Sequence, residues 1–152
     1  MLSAAGAAPV FAAGSIVNQP FNTDSTSGWT NVDDACLTAG DASTPGTSIP
    51  SCTTVLGGAA PPVDASGSGT LLLTTDDYNQ DGLTVYTPTL TGGSGLQAVF
   101  TDYAFGGGPR AGADGVSFFF LDGSQPLPAG SFPGGGLGYV NITGAYLGVG
   151  IA

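Results

Sequence analysis

The sequence predicts an all-β fold, a sandwich of short antiparallel strands, from three observations. Twenty-seven glycines and 11 prolines punctuate a chain poor in strong helix formers, with no Glu and no Lys. Short runs of Val, Thr, Phe, Tyr and Leu alternate with turn clusters, the pattern of strands joined by tight connections. A length of 152 residues sets one domain, and a hydrophobic content of 41% supplies enough apolar surface for a core.

Charge narrows the function classes. Eleven acidic residues, all Asp, stand against Arg110, for a formal net charge of -10. Such a chain repels phosphate backbones and anionic headgroups, which argues against nucleic acid and membrane-surface partners. With no His, Lys or Glu, it lacks the usual imidazole base, the amine nucleophile and the commonest metal ligand.

Residues 1–13 (MLSAAGAAPVFAA) read as the tail of a secretory signal peptide, cut near Ala12 or Ala13, although no Lys or Arg precedes it. Its length, with Gly6, Pro9 and Gly14, excludes a membrane span. The domain then runs from 15 to 152, beginning with a strand over Ser15 to Asn22 whose Pro20 marks an edge or a bulge. Trp29 follows in a polar loop and reads as a core or lid aromatic.

Cys36 and Cys52 are the two cysteines, and the segment between them has no periodicity of its own, so a disulfide is the natural staple. The Gly, Ala, Pro and Ser-rich stretch from Gly57 to Gly69 is a surface connection. Thr70 to Thr75 and Leu83 to Thr87 read as two antiparallel strands joined by DDYNQDG. Asp77, Asn79 and Asp81 match the first half of a calcium loop, but Pro88 occupies the bidentate Glu position, and the same residues suit a β-turn. Leu96 to Phe105 alternates as a half-buried strand, and Arg110 sits in the glycine-rich loop after it.

The chain is organised around residues 111–139. Val116, Phe118 and Phe120 alternate with Ser117, Phe119 and Leu121, which suits a central strand covered on both faces. Asp114 stands at its mouth, where a fixed carboxylate can accept hydrogen bonds from ligand hydroxyls. Gly134, Gly135, Gly136 and Gly138 leave backbone N–H groups open to close approach. Leu137 to Val140 and Tyr146 to Ile151 read as further strands around NITG, where Asn141 begins a glycosylation sequon.

Two motifs in this region, Ala113-Asp114-Gly115-Val116-Ser117-Phe118-Phe119 and Gly134-Gly135-Gly136-Leu137-Gly138, resemble the hallmark of L-type (legume-type) lectins, especially secreted bacterial members of the concanavalin A-like group. The fragments GW, ACLT, IPSC, GSGTLLLT, NQDG and AYLGVGI follow in the family's order. The resemblance implies a concanavalin-like jelly-roll β-sandwich that binds carbohydrate, with Asp114, Gly135 and Gly136 contacting sugar hydroxyls. It also implies calcium and a transition metal held through residues beyond the position of Ala152, so that this chain corresponds to the N-terminal half of a family domain and itself holds no metal. On that expectation the sandwich is truncated, its sugar affinity is weak or absent, and its uncovered strand edges invite self-association.

Two rival functions stand beside this reading. A glycoside hydrolase needs two facing carboxylates, and Asp114 and Asp122 bracket one strand from its two ends, which argues against an enzyme. A structural or adhesive extracellular module without sugar binding is the stronger rival, in which Asp114 is a turn residue.

Overall fold

The structure, a computed structural model, describes residues 17–23, 26–39, 49–55, 64–75, 77, 79–90, 95–105, 114–127, 134–140 and 142–151. Residues 1–13, Arg110, Ala113 and Asn141 lie outside this set. The elements in chain order are β1 (Trp29–Asp33), β2 (Cys36–Leu37), α1 (Cys52–Val55), β3 (Leu71–Leu72), β4 (Gly82–Tyr86), β5 (Val116–Leu121), a 3-10 turn (Gly134–Gly136) and β6 (Ala145–Ile151). The all-β reading holds at this level. The strands form three antiparallel pairs, β1 with β4, β2 with β3 and β5 with β6.

Burial concentrates where the sequence has least periodicity. Ala35, Cys36, Leu37 and Ile49 have no exposed surface, and Ala39 and Cys52 complete the apolar core. A disulfide joins Cys36 to Cys52, fastening β2 to the start of α1. Ser51 caps that helix, its carbonyl accepting from the Thr54 N–H at 2.9 Å and its hydroxyl from the Thr53 N–H at 3.3 Å. The backbone around β2 is satisfied by segments far away in sequence. The Leu37 N–H donates to Pro50 O at 2.9 Å, the Thr38 N–H to Thr70 O at 3.0 Å and the Asp64 N–H to Thr38 O at 3.0 Å. Thr38 Oγ1 in turn accepts from the Thr70 N–H at 2.8 Å.

The two strands expected to form one hairpin, 70–75 and 83–87, do not pair with each other. β3 goes to β2, with half-buried Leu72 opposite Cys36 and half-buried Leu71 opposite Leu37, both of which belong to the buried core. β4 goes instead to β1, pairing from Trp29–Tyr86 to Asp33–Gly82. Gly82 is where the two pairs meet: a side chain there would run into Leu73 O and approach Ala35 N to 3.0 Å. Trp29, expected in a loop, opens β1 and packs, half-buried, between Phe21 (5.0 Å, edge-on) and Tyr86 (5.4 Å).

Other boundaries also differ from expectation. Residues 17–22 of the expected first strand form no ladder, and Phe21 takes a φ of 54°. Residues 96–105 form no strand either. Phe100 of that segment stacks on Phe118 of β5 at 5.5 Å. β5 has the expected bounds but, among the described residues, pairs with β6 alone and so has one strand neighbour where a central strand has two.

The disulfide closes a loop across a sequence separation of 16, which constrains the unfolded chain by roughly 3 kcal/mol. Replacing both cysteines with Ala is expected to lower unfolding stability by about that amount in urea titration. Retention of wild-type stability would show that the core does not rest on the staple.

Candidate functional site

Gly115 takes a φ of 133°, a conformation that turns the chain into β5 and leaves the preceding Asp114 exposed at the strand's mouth. β5 and β6 then run in register from Val116–Ile151 to Phe120–Leu147. Residues 117 and 119 share one face with Gly148 and Gly150 across the pair, and 116, 118 and 120 share the other with 147, 149 and 151.

The first of these faces carries the glycine-rich turn. Ser117 Oγ donates to Leu137 O at 2.6 Å, fixing the turn to β5 three residues beyond Asp114, about 10 Å along the strand. Leu137 fills the space a side chain at Gly150 would need, and the Tyr139 ring lies 2.7 Å from where a Cβ at Gly148 would be. Tyr139 also stacks against Phe119 at 6.2 Å. Two glycines on β6 therefore provide the recess into which the turn seats.

Residues 137–140, expected as a strand, form this turn. The Tyr139 and Val140 N–H groups both donate to Gly136 O, at 3.2 and 3.3 Å, and Leu137 and Gly138 adopt φ of 51° and 73°. A chain curled in that way has no extended edge to pair. Gly136 packs near Val140, whereas a Cβ at Gly135 would meet nothing within 4 Å, so the Gly135 backbone faces open space.

At the far end of β5, the Ser124 N–H and hydroxyl donate to Asp122 Oδ1 at 2.9 and 2.8 Å, and these bonds hold the Asp122 carboxyl below its ordinary pKa. Asp114 and Asp122 stand roughly 26 Å apart at about 3.3 Å per residue, beyond the 5 to 10 Å, approximately, at which two carboxyls act across one glycosidic bond.

Asp77 is exposed, Asn79 adopts a φ of 59°, and the Asp81 N–H donates to Asp34 Oδ2 at 3.2 Å. Desolvation, then the Asp81 and Asp34 charges, push the neighbouring Asp33 carboxyl above its ordinary pKa. Among the described residues no group of three or more His, Cys, Asp or Glu could hold a metal ion.

One feature is absent from the sequence reading. Leu96, Phe100, Phe118, Phe120, Leu147 and Val149 line an apolar groove of about 240 Å³ on the second face of the β5–β6 pair. Its signal in the sequence is the alternation of residues 96–105, which reads as a half-buried strand. Comparison with known proteins returned no match: no family model, curated protein or solved structure aligns significantly with this chain.

The Ser117 hydroxyl is the polar tie between β5 and the turn, so Ser117→Ala is expected to cost about 1 kcal/mol and to speed amide exchange at Tyr139 and Val140 while the β5–β6 ladder stays intact. Unchanged exchange at those amides would show that Leu137 and Tyr139 packing alone seats the turn.

Proposed function

We propose that this chain is a non-catalytic carbohydrate-binding module of a secreted or cell-surface protein, with Asp114 and the Gly135–Gly136 backbone forming the sugar contact. The observation that carries the reading is the Ser117–Leu137 hydrogen bond, which ties an open glycine backbone to the strand that begins beside an exposed carboxylate. A carboxylate accepts hydrogen bonds from vicinal hydroxyls, and backbone N–H groups in a side-chain-free turn donate to them. The two groups thus offer complementary partners to a polyol.

The resemblance of the Asp114 and Gly134–Gly138 motifs to L-type lectins supports the same assignment. It also supports a jelly-roll origin for the strand pairs. The Cys36–Cys52 disulfide fits an oxidising, extracellular setting, and no helix among the described residues is long and apolar enough to cross a membrane.

A glycan array probed with the purified chain, with and without calcium, tests the proposal. The expected result is selective binding to a glycan class that Asp114→Ala reduces at least about tenfold, equivalent to about 1.4 kcal/mol, with the circular dichroism spectrum unchanged. Glycan binding that survives Asp114→Ala removes Asp114 from the site. No binding by the folded wild-type chain under either condition favours the structural or adhesive module.

A further inference from the structure

We propose that the Asp114–Gly115 step is a site of spontaneous covalent modification, at which Asp114 isomerises to isoaspartate in the folded chain. Three Asp-Gly steps occur in the sequence, Asp81–Gly82, Asp114–Gly115 and Asp122–Gly123. Glycine permits the reaction best, because no side chain hinders its backbone nitrogen from attacking the preceding carboxyl carbon. The three steps therefore share one intrinsic chemistry and differ in how the fold holds them.

The reaction consumes and returns a single water. The Gly115 nitrogen bonds to Asp114 Cγ, and the amide proton leaves with the carboxyl hydroxyl as water, closing a cyclic imide. Water then reopens the ring at one of its two C–N bonds. Cleavage at the side-chain carbonyl restores Asp114. Cleavage at the backbone carbonyl routes the main chain through Cγ and leaves the carboxylate directly on Cα. Ring closure requires the nitrogen to come within about 3 to 3.5 Å of the carboxyl carbon along the direction of attack, so a fold that fixes either group suppresses it.

Two of the three steps are fixed. The Asp81 N–H donates to Asp34 Oδ2 at 3.2 Å and its carbonyl accepts from the Asp34 N–H at 3.0 Å, while Gly82 pairs with Asp33 in the β1–β4 ladder. Asp122 Oδ1 accepts from the Ser124 N–H and hydroxyl at 2.9 and 2.8 Å, which keeps that carboxyl ionised, the form that resists attack. Its backbone is tied as well, the N–H donating to Gly144 O at 2.8 Å and the carbonyl accepting from the Gln125 N–H at 3.0 Å. Asp114 and Gly115, by contrast, are both exposed and stand outside the β5–β6 ladder, whose end pair is Val116–Ile151. The φ of 133° at Gly115 requires glycine there, so the turn into β5 retains the reactive step.

The consequence for the sugar contact rests on the carbohydrate reading, whereas the isomerisation does not. The product carries its carboxylate one carbon closer to the main chain and inserts that carbon into the chain entering β5. An Asp114 contact with glycan hydroxyls is lost as the molecule ages.

Ageing of the purified chain in warm neutral buffer, read by electron-transfer fragmentation that distinguishes isoaspartate from aspartate, tests this inference. Isoaspartate is expected to form from Asp114 at least about tenfold faster than from Asp81 or Asp122. Reduction and unfolding in guanidinium chloride are expected to bring the three rates together. Absence of isoaspartate at Asp114, equal rates in the folded chain, or a spread of rates that persists on unfolding would overturn the proposal. The aged chain is then applied to the glycan array. Binding lost in step with conversion supports both proposals, and undiminished binding by converted chain removes Asp114 from the sugar contact while leaving the isomerisation established. The mass readout involves no glycan, so the two proposals fail separately.

Discussion

The Cys36–Cys52 bond is the constraint on which the rest of this structure depends. It fastens a two-residue strand to a one-turn helix, elements too short to persist by themselves, and around it lie the fully buried side chains Leu37 and Ile49. Thr38, Pro50, Asp64 and Thr70 then exchange backbone hydrogen bonds across this knot, drawing together segments far apart in the chain. Once β3 is committed to β2, β4 is left to pair with β1, and Gly82 permits the two pairs to touch. A covalent bond supplies the organisation that hydrophobic periodicity does not.

The β5–β6 pair is built on the opposite principle. Its strands are legible in the pattern of apolar residues, but its side chains are at best half-buried, and it relies on a tyrosine and a leucine seated over two glycines. The same glycines that admit Leu137 and Tyr139 hold the turn close to β5, and the Ser117 hydroxyl fixes how far along the strand the turn sits. The glycine-rich turn thus covers one face of this small sheet, and the apolar groove lies on the other.

What the sequence made readable follows from where the information is local. β5 was visible because alternation is a property of neighbouring residues, and so were the disulfide, the turn residues at Asn79 and the nearly complete span of β6. Strand pairing was not visible. Leu71 and Leu72 look the same whether they pair with β4 or with β2, and only the burial of Cys36 and Leu37 decides it. β1 was obscured because WTNVD has one aromatic and one aliphatic residue among polar ones, and its partner lies more than fifty residues away. The Asp114 and Gly135 positions were nameable from motif alone. The Ser117 contact that links their elements was not, since nothing in the alternation of β5 marks one serine as a donor to a distant turn. The groove was hidden for a related reason: the alternation of 96–105 does not say which side chains its apolar residues meet.

Hydrogen exchange read by mass spectrometry on the dilute oxidised chain tests most directly whether the disulfide knot organises the fold. The slowest amides should be those of Leu37 and Thr38, with the β5–β6 ladder opening at lower free energy and reduction of the disulfide erasing the difference. Slowest exchange in β5 and β6, unaffected by reduction, would contradict the account and make that sheet the nucleus of the fold.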